Sequence, residues 1–526
     1  MSQLTGTTTI LRLNVRRDRV RLALWVAGLA GLVLATASGI KELYPTRADL
    51  QAYAETAGSS PAAIALNGPA HAVDTTGGAA VFEVGGYAAV AVALMSILLV
   101  GRSTRAEEES GRTELLRAGI LGRHAGLAAA VVVAVGANLL IGAVVAGGFV
   151  ALGLPTAGSL TFGASLCAVG VVFAGVASVT VQLTEHARTA NAMAGAVVGV
   201  AYVVRAAGDV GESGLSWLSP FGWAQATRPF ASERWWPLLL VVAASGLLLT
   251  TAVVLQRRRD VGAGLVPQRP GPARAAPGLL RQVGFSLRLQ RGALLGWTVG
   301  VFAGGAAFGS VGDEMDDIVA DSDGLQDWIG AYGGNPTDAF LALTLLMLAL
   351  GAAGCTLTSA LRLSTEESAG RVEPLLATPV SRPRWMLSHL VAPLLAGVVV
   401  PLAGGLGVGV AYATLTQDPA QVPRMLGAAL AHVPAVWALT GLAVLLIGAV
   451  PRAVALVWAV FGGCVVAALL GSLIRLPDWV LELSPFAHTP RLPGESVQAA
   501  PLVLLTGLAV LTVAAGVAMF RRRDLR

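Results

Sequence analysis

Two charged segments of similar sequence contain the residues best suited to chemistry in this 526-residue chain. The first, EEESGRTELLRAGILGR, covers residues 107–123, and the second, EESAGRVEPLLATPVSR, covers residues 366–382. Their charged residues include Glu108, Arg112, Glu114 and Arg123 in the first segment and Glu367, Arg371, Glu373 and Arg382 in the second. A glutamate four residues before an arginine supports a helix, and adjacent leucines give that helix an apolar side. Such a helix suits docking to a partner protein. A solvated surface loop is the alternative, and the second copy of the pattern disfavours it.

The lysine content excludes a phosphate-binding P-loop in this chain. That loop needs the pattern G-x-x-x-x-G-K-[ST], and the single lysine, Lys41, lies in GIKEL. We therefore predict that the chain is not itself an enzyme and has no catalytic residues. Cys167, Cys355 and Cys464 each lie in an apolar run, where they read as small core residues rather than as metal ligands.

The composition is that of a membrane protein. Hydrophobic residues make up 55% of the chain and charged residues only 13%, against about 25% charged in soluble domains. The mean hydropathy is +0.70. Twelve apolar stretches approach the length of about 20 residues that a membrane-spanning helix needs: 22–40, 86–101, 125–153, 159–183, 190–208, 236–256, 293–311, 339–361, 386–413, 425–449, 453–474 and 500–520.

Charge gives the orientation of these twelve predicted spans. The segments on the side of the N-terminus hold 28 of the 36 Lys and Arg residues but only 11 of the 31 acids. The positive-inside rule then places both termini in the cytoplasm. The Ala/Gly/Val/Arg excess is typical of a bacterial protein, so we predict a multi-pass protein of the bacterial plasma membrane. On this assignment no carboxylate lies in the middle of a span.

Several landmarks occur twice in the same order. RVRLALW at 19–25 matches RGALLGW at 291–297, and LSPF at 218–221 matches LSPF at 483–486. Each LSPF leads through an apolar span to RRRD, at 257–260 and at 521–524. The pattern predicts two six-span halves in parallel orientation. They cover residues 1–260 and 279–526, joined by a Pro/Gly-rich cytoplasmic linker at 261–278.

Each predicted half has the same cytoplasmic elements. Basic segments at 8–20 and 279–291 are predicted to form amphipathic elbow helices at the inner membrane surface. The charged segments are predicted to form short helices within about 104–124 and 362–385. The expected fold class is therefore an all-α polytopic membrane protein with twelve transmembrane helices in two tandem six-helix repeats.

The charged segments resemble the coupling helices of ABC-2-type exporter permeases. The shared pattern is E-x-x-G-R-x-E-x-L-x-x-T-P-V-S-R, which the second copy matches more closely because the first has GILGR in place of TPVSR. The six-span half also fits the type V exporter-like fold of that family. The fused twelve-span form is most similar to actinobacterial multidrug and antibiotic exporter permeases of the tetronasin-resistance type.

This resemblance implies a mechanism and a set of partners. Two copies of a separately encoded ATPase would bind ATP and Mg²⁺ and dock on the coupling residues, and alternating access would export a hydrophobic or amphipathic compound. In the family, spans 2 and 5 of each half line the substrate path. The large side chains there are Met95, Tyr202, Met347, Trp458 and Phe461, all of which also suit ordinary packing. Membrane lipid is the other expected partner, and nucleic acid is not expected.

Two other classes of function stay open. A proton-driven secondary drug transporter can also have twelve spans, but it usually needs a carboxylate relay within the membrane. The ionisable group well inside a predicted span is His432, which we interpret as a hydrogen-bonded packing residue beside Pro434. A membrane enzyme would need clustered His, Asp and Glu at one face, and the predicted outer segments contain only His71 and His488.

Overall fold

The computed structural model of this chain describes residues 3–58, 61–117, 121–260, 262–266, 273–310, 312, 336–470 and 477–523. Within those ranges all regular secondary structure is helical. Of the helical stretches in the described residues, eleven are long and apolar enough to cross a membrane, one of which, Gln421–Ala449, is interrupted at His432. A shorter apolar helix, Leu456–Leu470, covers most of the eleventh predicted span. The prediction of an all-α, multi-pass membrane protein is confirmed.

The chain divides into two compact units, Met1–Pro270 and Gly271–Arg526. The helices of the N-terminal unit are α1 Thr7–Leu43, α2 Arg47–Ala57, α3 Pro61–Asn67, α4 Thr76–Ser103, α5 Arg105–Glu109, α6 Arg112–Arg117, α7 Ala125–Ala151, α8 Thr156–Leu183, α9 Ala187–Val210, α10 Pro220–Gln225 and α11 Pro237–Arg257. The helices of the C-terminal unit are α12 Gln282–Gly309, α13 Pro336–Ala360, α14 Arg362–Ser368, α15 Val372–Leu376, α16 Arg382–Thr416, α17 Gln421–Ala431, α18 Val433–Ala449, α19 Leu456–Leu470, α20 Asp478–Leu481 and α21 Ala499–Arg522.

The predicted elbows are not separate elements. Helix α1 has 37 residues, which makes it about 55 Å long at 1.5 Å per residue, and it includes the basic segment 8–20. Residues 7–27 contain neither proline nor glycine, so nothing in them breaks the helix ahead of the span. Most of the elbow predicted at 279–291 likewise runs into the span, as the first part of α12, and its first residues belong to a 3-10 turn at Pro277–Leu280. The basic part of α1 also packs on the second span, because the guanidinium of Arg102 in α4 binds the carboxylate of the buried Asp18 at 3.0 Å.

Helix α4 begins at Thr76 rather than at the predicted residue 86. Thr75 caps it by accepting a hydrogen bond from the Gly78 amide at 3.1 Å. Glu83 is tolerated inside this helix because Tyr53 of α2 donates a hydrogen bond to its carboxylate. Glu83 therefore lies within the second spanning helix, seven residues after its start at Thr76 and not in its middle.

Small residues let the spanning helices approach closely, as expected from the glycine content. A Cβ atom at Gly142 of α7 would lie 2.5 Å from the Gly163 carbonyl oxygen of α8, and one at Gly448 of α18 would lie 2.1 Å from the Gly516 carbonyl oxygen of α21. In each unit the second and fourth spans are the most enclosed, whereas the first and sixth expose most of their apolar surface.

Candidate functional site

Each charged segment consists of two short helices rather than the predicted single helix. In the N-terminal unit α5 ends before Gly111, which has φ 71°, and in the C-terminal unit α14 ends before Gly370, which has φ 68°. Glycine reaches this left-handed conformation without steric cost and commonly terminates helices. Residues 118–120 of the first segment lie outside the described residues.

The two breaks change which residues form ion pairs. Arg112 binds Glu107 at 3.5 Å, and Arg371 binds Glu366 at 2.6 Å. Both pairs join residues five apart across the glycine. The predicted pairing of Arg112 with Glu108 and of Arg371 with Glu367 is wrong, because the chain turns between them. The Arg371–Glu366 hydrogen bond and charge attraction raise the pKa of the Arg371 guanidinium.

Glu108 faces its own unit instead of a docking surface. Its carboxylate binds Arg259, just beyond the end of α11, through two hydrogen bonds of 2.8 Å. It also binds Arg105 at 2.5 Å, and the Arg105 side chain is fully buried. Gln182 of α8 holds Arg259 from the other side at 2.6 Å. The predicted coupling residue Glu108 therefore anchors its segment to the end of the sixth span.

The C-terminal unit repeats this anchor. Arg523, just beyond the end of α21, donates a hydrogen bond to the carboxylate of Glu367. Arg259 and Arg523 are both the third arginine of an RRRD sequence. Glu108 and Glu367 are the second glutamates of the two segments. The same two motifs thus bind each other in both units.

The predicted coupling residues Arg123 and Arg382 also contact the sixth spans. The Arg123 guanidinium donates to the carbonyl oxygens of Gln256 and Arg259 at 3.0 Å and to that of Arg257 at 3.2 Å. Arg382 donates to the Arg523 carbonyl at 2.7 Å. The last carbonyls of a helix lack intrahelical partners and attract cations, so these arginines cap the ends of α11 and α21.

In the N-terminal unit, three successive glutamates bind three different parts of the unit. Glu107 accepts a hydrogen bond from Arg17 of α1 at 2.5 Å, Glu108 binds Arg259, and Glu109 accepts from the Ala187 amide at the start of α9 at 2.8 Å. Among its described residues the C-terminal unit repeats only the second link. Glu366, at the position of Glu107, binds Arg362 and Arg371, and Ser368, at the position of Glu109, donates its hydroxyl to the Thr365 carbonyl at 3.2 Å.

The outward face of each segment is formed by the remaining predicted residues. Glu114 and Glu373 are exposed, and the Arg112 and Arg371 side chains are 65% and 56% exposed. Leu375 adds exposed apolar surface in the C-terminal unit, whereas the side chains of Leu115 and Leu116 lie outside the described residues. Each segment is therefore anchored to its own unit on one side and carries exposed charged side chains on the other.

The five residues predicted to line the substrate path lie in different environments. Met95 is fully buried in the core of the N-terminal unit. Tyr202 lines a cavity of about 60 Å³, and its hydroxyl donates to the Leu66 carbonyl. In the C-terminal unit, Met347 and Trp458 are exposed. The rings of Trp458 and Phe461 pack edge to face, with their centroids 5.9 Å apart.

Some residues of this site were not predicted. Glu107, Glu366, Arg259 and Arg523 make the repeated pairs, and Glu109 makes the link to α9. The duplicated RRRD sequence was the available signal for the arginines, because a charged motif preserved in both halves needs a partner preserved in both halves. No comparable signal marked Glu109, which the second segment does not repeat.

The fold defines a multi-pass membrane protein with two similarly anchored charged segments. A protein-family model described as "Multidrug efflux system permease Rv1217c, C-terminal domain" matches residues 8–257 and 279–521. The multidrug efflux system permease protein Rv1217c of Mycobacterium tuberculosis (strain ATCC 25618 / H37Rv) is 41% identical over 530 residues, which cover 100% of this chain and 96% of that protein. This chain belongs to the family of multidrug efflux system permeases, which confirms the predicted resemblance to exporter permeases.

Proposed function

We propose that this chain is the membrane subunit of an ATP-driven exporter of hydrophobic or amphipathic compounds, including drugs. Two copies of a separate ATPase would dock on the exposed faces of the two charged segments. The strongest support is the repeated anchor between segment and sixth span, Glu108–Arg259 and Glu367–Arg523. A segment tied to a span in this way can turn a movement of a docked partner into a movement of the membrane helices.

The sequence supplies the rest of this proposal. Without a P-loop lysine the chain must obtain ATP energy from another protein, which would hold ATP and Mg²⁺. The arginine excess on one side supports a cytoplasmic location for both termini in a bacterial cell. The two units then act as tandem six-span halves, and export follows from alternating exposure of a substrate cavity to the two sides of the membrane.

Native mass spectrometry of the complex purified from its own host tests this proposal. We expect one copy of this chain with two copies of an ATPase, because one chain carries both docking segments. A particle with two copies of this chain and two ATPases would contradict the fused arrangement. Purification of a chain with transport activity and no ATPase would contradict the proposed energy source.

One observation favours a different class of transporter. Glu83 lies inside the spanning helix α4 and is bound by Tyr53, so this unit has a carboxylate of the kind that proton-driven transporters use. The two classes differ in their response to a collapsed proton gradient.

A further inference from the structure

Each unit has a cavity at the same place in its fold. In the N-terminal unit it lies among α4, α8, α9 and the segment that begins at the first LSPF. In the C-terminal unit it lies among α13, the junction of α17 and α18, α19 and the segment around the second LSPF. The phenyl groups of Phe221 and Phe486, from the two LSPF sequences, line the two cavities and are themselves buried.

The two cavities differ in size. The cavity of the N-terminal unit is about 60 Å³, and a water molecule has a share of about 30 Å³ in the liquid, so this cavity suits about two waters. The cavity of the C-terminal unit is about 160 Å³. A cavity of about 150 Å³ is large enough for benzene. A six-membered ring therefore fits in the second cavity but not in the first.

The wall of the larger cavity includes an imidazole with one unused nitrogen. His432 lies at the break between α17 and α18, directly before Val433, the first residue of α18, and Pro434 is the second residue of that helix. Its side chain is buried, with the residue only 3% exposed. Nδ1 contacts the Thr489 hydroxyl at 3.1 Å, as a packing histidine should, but Nε2 has no hydrogen-bond partner in the described chain.

The hydrogen bonds around Thr489 determine what Nε2 can accept. The Thr489 hydroxyl donates its single hydrogen to the Phe486 carbonyl at 2.8 Å. It must then act as acceptor toward His432, which places the imidazole proton on Nδ1. In that neutral tautomer Nε2 carries a lone pair and is an acceptor. A ligand that satisfies it has to present a hydrogen-bond donor.

We propose that the cavity of the C-terminal unit binds a six-membered ring that carries a hydroxyl group, as in a phenol, with the hydroxyl donating to Nε2 of His432. Apolar side chains such as Leu346, Leu481 and Phe486 line the space for the ring. The exposed Arg491 also lines the cavity. This inference deepens the proposed function, because it names a chemical group that a hydrophobic export substrate would carry.

Ligand-observed ¹⁹F NMR tests it with the full chain in lipid nanodiscs, without ATPase or nucleotide. The probes are 4-fluorophenol and 4-fluoroanisole, which have the same ring, although only the phenol has a donor. Empty nanodiscs correct for partition into lipid. We expect saturable binding of 4-fluorophenol, weakened about tenfold by His432→Leu because a net hydrogen bond is lost, with 4-fluoroanisole binding unchanged.

A second variant keeps the test decisive if His432→Leu does not fold. Thr489→Val removes the acceptor that fixes the proton on Nδ1, so the preference for 4-fluorophenol over 4-fluoroanisole should fall to near equality, whereas Thr489→Ser should retain it. Equal losses for both probes, or the absence of saturable phenol binding, would overturn the inference. Because no ATP is present, failure of ATP-driven export would leave this result unaffected, and the reverse also holds.

Discussion

Glu108 and Arg259, 151 residues apart in the chain, bind each other through two parallel hydrogen bonds of 2.8 Å. Both carboxylate oxygens and both terminal guanidinium nitrogens take part, which is the strongest geometry for such a pair. The pair is nearly buried, with side-chain exposures of 7% and 5%. Its two members belong to the charged segment and to the end of the sixth span, so it holds these elements in one arrangement.

Glu108→Gln should therefore weaken both stability and coupling. Removing one partner of a buried ion pair leaves the other charge unsatisfied and costs about 3 kcal/mol. We expect a lower midpoint of thermal unfolding in detergent and a loss of substrate-stimulated ATPase activity in the reconstituted complex. The exposed Glu114→Gln is the matched control and should leave the midpoint unchanged. A stability change as small as that of Glu114→Gln would mean that Arg259 does not depend on Glu108.

The exposed arginines of the two segments should differ in importance. Arg371 binds Glu366 at 2.6 Å, whereas Arg112 binds Glu107 at 3.5 Å, and the second segment has TPVSR where the first has GILGR. We expect Arg371→Ala and Glu373→Ala to uncouple substrate-stimulated ATPase activity more than Arg112→Ala and Glu114→Ala. The measurement is the ratio of stimulated to basal hydrolysis. Equal losses in the two units would show that the TPVSR difference has no functional weight.

The glycines that break the segments should resist substitution. Gly111 and Gly370 have φ of 71° and 68°, where any other residue is strained by about 1–2 kcal/mol. A Cβ atom at either position would meet nothing within 4 Å, so the whole cost of Gly111→Ala or Gly370→Ala is conformational. Gly28→Ala, in a helical and equally open position of α1, is the control and should stabilise slightly. Thermal unfolding of the three variants would contradict the assigned turn if all of them behaved alike.

The energy source can be measured in inverted vesicles that contain the complex. We expect export to require ATP and the partner ATPase and to continue after an uncoupler collapses the proton gradient. Glu83→Gln should transport normally, because the amide oxygen can still accept the hydrogen bond from Tyr53. Loss of transport in the uncoupled vesicles while ATP is plentiful, or in a folded Glu83→Gln protein, would support a proton-driven transporter instead.

The sequence predicted the elements of this fold better than their contacts. Apolar length located the spans, and the repeated segments could be found because Glu108 and Arg112 have counterparts at Glu367 and Arg371. Their partners could not be assigned from the sequence, because the chain turns at Gly111, which has a positive φ. As a result Arg112 pairs with Glu107 and not with Glu108. Glu108 binds Arg259 instead. Arg259 is far from Glu108 in the sequence, and only tertiary packing brings the two residues together.

Boundaries were mispredicted where a polar group had an unforeseen partner. The predicted start of the second span lies too far along the chain because Glu83 suggests a loop. Its hydrogen bond with Tyr53 depends on α2, a short helix with no motif to mark it. The elbow before the first span was separated from it because its arginines contrast with the apolar run. The backbone has no such division, since hydrophobicity changes along α1 while helix propensity does not.

The difference between Glu109 and Ser368 has a meaning that depends on symmetry. A closed dimer of identical six-span subunits repeats every residue, so both of its segments would carry the same third anchor. A single chain of two units is free of that constraint and holds one segment with a link to the fifth span and one without. The two segments of such a protein are held by different contacts. We therefore expect that the force needed to displace one segment differs from the force needed to displace the other by the same distance.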